Sequence, residues 1–349
     1  SGSAPRARAL GGSPFVGGGL PSLRAAATAP RPAAVRAGAA RRVAVAMAGG
    51  KDVVCVTGAT GFVGSRLVQM LSSQGAVVRV LARNPAKARS ALGSLRGVEF
   101  VPPSQWAAAV QGATAVVNLS GEPISTRWTD GIKKEIVRSR VETTRQLVAA
   151  INACPEGARP AVLVNGSAVG FYGISDTATF DETSPNGSDF LSDVCRQWEG
   201  ATAGCETRVV LLRTGIVLEK DGGALAKMLP AFQAFAGGKL GRGDQWFSWI
   251  HRDDLCGLIA AAIDDERYEG AINGTAPTPV TMDAVCTAIG GAMGRPSWLP
   301  VPDFAIQTLL GEGASLVLDG QKVLPKRALS LGYQFKYTTI EAAVKAIVN

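Results

Sequence analysis

The sequence predicts an α/β protein built on a doubly wound parallel sheet with a smaller C-terminal substrate lobe. Three observations carry that expectation. From residue 52 to residue 213, short apolar runs rich in β-branched residues alternate with stretches of helical periodicity. That is the pattern of parallel strands covered by helices on both faces. Glycines at 58, 61 and 64 stand where the first run becomes the first helix. Beyond residue 213 the alternation loosens, and glycine pairs at 222–223 and 237–238 bracket a further helix.

Residues 52–57 are a β-branched run with glycine on either side, the first buried strand. Residues 62–73 repeat apolar side chains at helical spacing through Val63, Leu67, Met70 and Leu71. Residues 76–81 read as the second strand and 85–92 as a short helix. Strands are expected over 98–101 and 115–119, with a helical stretch near 106–110 between them. A long helix covers 132–152. Strands over 161–164 and 208–212 flank a helix near 191–202. In the lobe, helices are expected over 225–236, 281–293 and 303–310, then a surface helix and strand within 322–336.

The formal charge of +8 is uneven: residues 1–50 hold seven arginines and no acid, while residues 51–349 hold 29 basic and 28 acidic groups. A near-neutral body argues against nucleic-acid binding, which needs basic charge on the folded surface. No run of 18 apolar residues occurs, so no membrane-spanning helix is expected. The six cysteines form no Cys-x-x-Cys pair and His251 is the only histidine, so no metal site is expected and the thiols should be free. The first 48 residues, Arg-rich and acid-free, read as an organelle transit segment, with the mature chain starting between about residues 44 and 52.

The turn Thr57, Gly58, Ala59, Thr60, Gly61, Phe62, Val63, Gly64 has the spacing of a dinucleotide-binding loop in a Rossmann-type sheet. Gly58 permits the tight turn. Gly61 lets backbone N–H groups approach a pyrophosphate, and Gly64 permits close helix–strand packing. The helix N-terminus adds the positive end of its dipole. The end of the second strand selects the dinucleotide. An acid there would bind the ribose 2′-OH of NAD. Here Arg83 follows Leu81 and Ala82, a forked cation suited to the 2′-phosphate of NADP.

Thr57–Gly64 and the strand end Asn118-Leu119-Ser120-Gly121 resemble an extended short-chain dehydrogenase/reductase. Residues 118–124, 139–144, 166–173, 245–255 and 320–325 resemble segments of one subgroup, the cell-division-inhibitor-like epimerase family, which carries a C-terminal domain of unknown function. The resemblance spans about residues 52–349 and includes chloroplast members, which agrees with the N-terminal composition. It implies an NADP site at Thr57, Gly58, Thr60, Gly61, Phe62, Val63, Gly64, Arg83, Leu119, Ser120, Glu135 and Arg140. Glu135 and Arg140 also suit a solvated helix face.

Superfamily enzymes carry Tyr-x-x-x-Lys on one helix, where the lysine lowers the tyrosine pKa so that the phenol moves a proton. This chain has no such pair; the tyrosine position falls on Leu191 and the lysine position on Cys195. Candidate substitutes are Ser167, which orients a substrate carbonyl or caps a strand end, and Tyr172, which offers a phenol to the cleft or packs. Cys195 is either a thiol near the nicotinamide or an inert buried cysteine. His251 is expected to fix the backbone of its aromatic loop, and Asp253 and Asp254 to cap the next helix.

The expected organisation is a transit segment over 1–48, an NADP-binding domain over 49–294 with lobe elements inserted, and a family-specific C-terminal domain over 295–349. The lobe's cleft wall is apolar and aromatic, which argues against a sugar nucleotide. Two function classes follow. One is a chloroplast NADP(H)-dependent oxidoreductase or epimerase acting on an unidentified small molecule without the usual proton relay. The other is a non-catalytic NADP(H)-dependent binding or redox-sensing factor with a protein partner in plastid division or complex assembly.

Overall fold

The computed structural model describes residues 1–2 and 52–349. The expected transit segment lies, but for its first two residues, outside the described residues. The chain alternates β1 (Val53–Thr57), α1 (Gly64–Ser73), β2 (Val77–Leu81), α2 (Pro85–Leu92), β3 (Val98–Val101), α3 (Trp106–Val110), β4 (Ala115–Asn118), α4 (Asp130–Asn152) and β5 (Val162–Ala168). A two-residue β6 (Thr179–Phe180) precedes α5 (Phe190–Gly200) and β7 (Arg208–Thr214). Then follow β8 (Ile216–Glu219), α6 (Gly223–Gln233), β9 (Trp246–Phe247), β10 (Trp249–His251), α7 (Arg252–Asp264) and β11 (Gly270–Gly274). The chain closes with β12 (Val280–Thr281), α8 (Met282–Met293), α9 (Asp303–Leu310), α10 (Ser315–Leu318), β13 (Lys322–Val323), α11 (Lys326–Ser330) and α12 (Ile340–Val348).

Seven strands form one parallel sheet in the order β11-β7-β5-β4-β1-β2-β3. Strand side chains alternate between two cores, which is why the runs read as continuously apolar. Val54, Val56, Val117, Val164 and Val210 meet Leu67 and Val68 of α1 and Leu258 and Ile259 of α7. Cys55, Val116 and Leu163 face the other way, against Trp106, Leu147 and Ile151. The order reverses between β1 and β4, and the crevice at their carboxyl ends is where such sheets take ligands. A separate core of Phe232, Trp249, Val285, Ile289, Val344 and Ile347 builds the lobe. The expected 322–336 pair appears as β13 and α11. Among the described residues no helix is long and apolar enough to cross a membrane.

The start of α7 corrects one expectation. The cap is His251, whose Nδ1 accepts from the Asp253 N–H at 3.0 Å while its ring stacks on Tyr337 at 4.0 Å. Asp253 pairs instead with Arg66 (2.7 Å), and Asp254 accepts from the backbone N–H groups of Lys336 and Tyr337. Both acids lie inside the first turn, where they favour the helix dipole without capping it. Burial holds the His251 ring below its ordinary pKa, against the pull of Asp253. The folded protein then binds fewer protons than the unfolded chain, so stability is full above the free-histidine pKa and falls as pH drops through the folded value. Burial raises the Asp254 pKa, an opposite effect confined to the more acid carboxylate range. Thermal melts should fall as the pH is lowered from about 7.5 to about 5.5, through the free-histidine pKa. A His251→Asn variant, which keeps a capping oxygen, should flatten that response. An undiminished response would show that another group titrates.

Candidate functional site

The glycine loop is shaped by close backbone approach. Gly58 has φ +66°, and a Cβ there would stand 2.5 Å from the Leu119 carbonyl oxygen. A Cβ on Gly64 would meet the Gly58 carbonyl oxygen at 2.2 Å. Both positions therefore require glycine, and the requirement draws β1, α1 and the end of β4 together. Val63 begins α1 with no side-chain cap, and no acid stands in its first turn. The Gly61 and Ser65 N–H groups close turns onto the Gly58 and Gly61 carbonyls at 2.9 Å, and the positive end of the α1 dipole is left without an acid, so the loop fits a pyrophosphate. Phe62 is held from the lobe side by Gly222, Gly223 and Arg252, whose guanidinium carbon lies 5.0 Å from the ring centroid. Arg252 in turn pairs with Asp221 at 2.7 Å and Glu219 at 3.3 Å.

Beneath the loop lies a buried polar cluster. Thr57 Oγ1 donates to Asn118 Oδ1 at 2.6 Å, and Asn118 Nδ2 donates to Asn165 Oδ1 at 2.7 Å and Thr144 Oγ1 at 2.9 Å. Trp198 Nε1 also reaches Thr144 Oγ1, at 3.2 Å. These bonds tie β1, β4, β5, α4 and α5 at the carboxyl edge of the sheet. Satisfied buried networks of this kind specify one arrangement. Arg140 packs beside Gly121 and over the Trp198 ring (5.1 Å), donating to the Glu122 and Ile136 carbonyls at 3.0 Å. Burial lowers its pKa.

A second chain of polar groups runs from β5 to the lobe. Ser167 Oγ donates to Glu199 Oε1 at 2.6 Å. Arg213 on β7 grips Glu199 with two bonds, Nε to Oε1 at 2.8 Å and Nη2 to Oε2 at 2.9 Å. Its Nη1 donates to the Tyr172 phenol at 3.1 Å, and the phenol donates to Asn273 Oδ1 at 2.6 Å. The guanidinium carbon sits 3.4 Å from the Phe171 ring centroid. Tyr172 stacks on Phe180 and is only 3% exposed; burial pushes its pKa up to about 12. Cys195 donates to the Ala168 carbonyl at 3.7 Å, and burial pushes its thiol up to about 12 as well.

Residues 54–273 match the NAD dependent epimerase/dehydratase family. The chain belongs to that family. Residues 301–347 match a domain of unknown function, DUF1731. The chain is 55% identical over 300 residues to the epimerase family protein SDR39U1 homolog, chloroplastic, of Arabidopsis thaliana, covering 85% of this chain and 86% of that protein. It is 38% identical over 302 residues to the epimerase family protein SDR39U1 of Homo sapiens, covering 84% and 99% respectively. A crystal structure of that human protein (isoform 2) with NADPH superposes with a TM-score of 0.77 at 37% identity, covering 84% of this chain and 98% of the other.

Against the family's frame, the candidate residues divide into groups. Thr57, Gly58, Thr60, Gly61, Phe62, Val63, Gly64, Leu119 and Ser120 gather at the crevice between β1 and β4. Arg83 stands exposed just past β2. Glu135 pairs with Arg138 at 2.7 Å on the outer face of α4, the solvated alternative, whereas Arg140 points inward. Ser167 borders the crevice; Tyr172 packs in the interior, the other alternative open to it. Sequence reasoning missed Glu199, Arg213, Asn118, Asn165 and Thr144 as members of the site. For Asn118, Asn165 and Arg213 the available signal was a polar residue inside or next to an otherwise apolar strand; Thr144 on α4 and Glu199 on α5 gave none.

Proposed function

We propose that the protein binds NADP(H) in the plastid and that, lacking the tyrosine–lysine pair, it turns over ordinary carbonyl and sugar-nucleotide substrates slowly if at all. Arg83 carries the cofactor choice. It follows β2 at the position where an acid would favour NAD, it is exposed, and no hydrogen bond or ion pair engages its side chain among the described residues. The human relative's crystal structure with NADPH supports the same reading. Bound NADPH would supply a hydride. The chain's own residues bind it through Thr57, Gly58, Thr60, Gly61, Phe62, Val63, Gly64, Arg83, Leu119 and Ser120, with Arg140 from α4; Glu135, held by Arg138 on the outer face, takes no part. Ser167 is the side chain proposed to touch substrate, and Tyr172 acts through Arg213 as a positioning residue.

Charge-assisted hydrogen bonds contribute about 1.5–3 kcal/mol, so Arg83→Ala should weaken NADPH binding about 10–150-fold. NADH affinity should barely move. Equal losses for both cofactors in titration calorimetry would show that Arg83 does not read the 2′-phosphate.

The acid-free N-terminal composition and the chloroplast relative support the plastid location. N-terminal sequencing of the organelle protein should find a start between about residues 44 and 52. A start inside β1 would contradict it, since the cofactor loop would lose its strand. The non-catalytic reading is favoured by the inward commitment of both candidate hydroxyl protons, to Glu199 and Asn273. NADPH oxidation coupled to a substrate separates the two readings. We also propose residues 295–349 as the family-specific C-terminal part.

A further inference from the structure

The chain of bonds around Glu199 has a fixed direction. A guanidinium has donors only, an ionised carboxylate has acceptors only, and a serine hydroxyl has one proton and two lone pairs. Both Glu199 oxygens receive Arg213 N–H groups, and Oε1 receives the Ser167 proton as well. Tyr172 is fixed in the same way: it accepts from Arg213 and gives its proton to Asn273, whose Nδ2 is held by the Leu324 carbonyl at 3.0 Å. The side chains of Arg213 and Glu199 are 7% and 10% exposed, so water does not compete for these bonds. Ser167, at the carboxyl end of β5, is 4% exposed with the Cys195 side chain beside it, and the face it leaves open presents lone pairs and no proton.

We propose that the Glu199–Arg213 pair sets the polarity of Ser167, so that the crevice presents an acceptor at this point and takes a hydroxyl compound in preference to the matching carbonyl. The proposal rests on the NADP(H)-binding reading. A carbonyl oxygen beside Ser167 meets two lone pairs, or must break the bond to Glu199. An alcohol O–H completes the hydroxyl's bonding. Glu199 and Arg213 do not touch the ligand; they are positioning residues.

Cyclohexanol and cyclohexanone, titrated by saturation-transfer NMR with and without NADPH, test this. One hydrogen bond to a buried acceptor predicts about a tenfold preference for the alcohol. Ser167→Ala, which leaves the ion pair whole, should bring the ratio near one. Glu199→Met combined with Arg213→Met should reverse it, because the carboxylate that holds the Ser167 proton leaves together with its partner and the proton is freed for a carbonyl oxygen. Equal or stronger binding of the ketone by the parent protein, its rapid reduction, no detectable binding of the alcohol, or a ratio unmoved by Ser167→Ala overturns the proposal. NADPH fluorescence in the same samples reports separately on the cofactor reading.

Discussion

NADPH oxidation across a panel of carbonyl and sugar-nucleotide substrates should run about 10²–10⁴ below that of an enzyme with an intact tyrosine–lysine pair. The argument is a proton inventory. On α5 the two positions hold Leu191 and Cys195, and neither supplies a phenol or an ammonium. The Cys195 thiol, pushed up to about 12 by burial, keeps its proton at neutral pH and directs it to the Ala168 carbonyl. Tyr172 also titrates near 12, and its proton is bound to Asn273. The Ser167 proton belongs to Glu199. A developing alkoxide in the crevice thus finds no nearby group among these with a proton to release. Ser167→Ala and Tyr172→Phe should both change whatever rate remains, the first by removing the acceptor that faces the carbonyl and the second by loosening Arg213. Ordinary dehydrogenase rates that survive both substitutions would show that a different donor carries the reaction.

The cofactor loop was legible because its information is local. Three glycines within seven residues, a strand before and a helix after, state the geometry without reference to the rest of the chain. The proton-bearing part of the site was not legible, because its partners are distant in sequence. Asn118 meets Asn165 across 47 residues, Ser167 meets Glu199 across 32 and Arg213 meets Tyr172 across 41. The expected fifth strand stopped at Val164, where the apolar pattern ends, yet β5 continues through Asn165, Gly166, Ser167 and Ala168. Asn165 and Ser167 are buried as part of a satisfied network, which hydrophobic periodicity cannot register. The same limit ended the next strand at Leu212 and left Arg213 outside it. β11 escaped notice because Ile272 is its only large apolar side chain, and β9 and β10 because two or three residues display no period.

Arg213→Met should cost about 3–5 kcal/mol in urea unfolding, the range for removing one partner of a buried ion pair. The Glu199 carboxylate on α5 would remain with only the Ser167 hydroxyl to solvate it, and in a site closed to water that is a poor exchange for a bidentate guanidinium. Further losses follow: Tyr172 would lose a donor, and Phe171 the cation stacked on its face. Glu199→Met combined with Arg213→Met should be more stable than Arg213→Met alone, because the uncompensated charge leaves with its partner and apolar pairs of similar volume often replace buried ion pairs at little cost. The alternative is an ion pair that water reaches. It would give a single-variant loss under about 1 kcal/mol, as exposed pairs do, and the two substitutions would simply add. The denaturant midpoints of three variants therefore decide whether this pair is a sealed structural device or a solvated one. Only a sealed pair can hold Ser167 to a single direction.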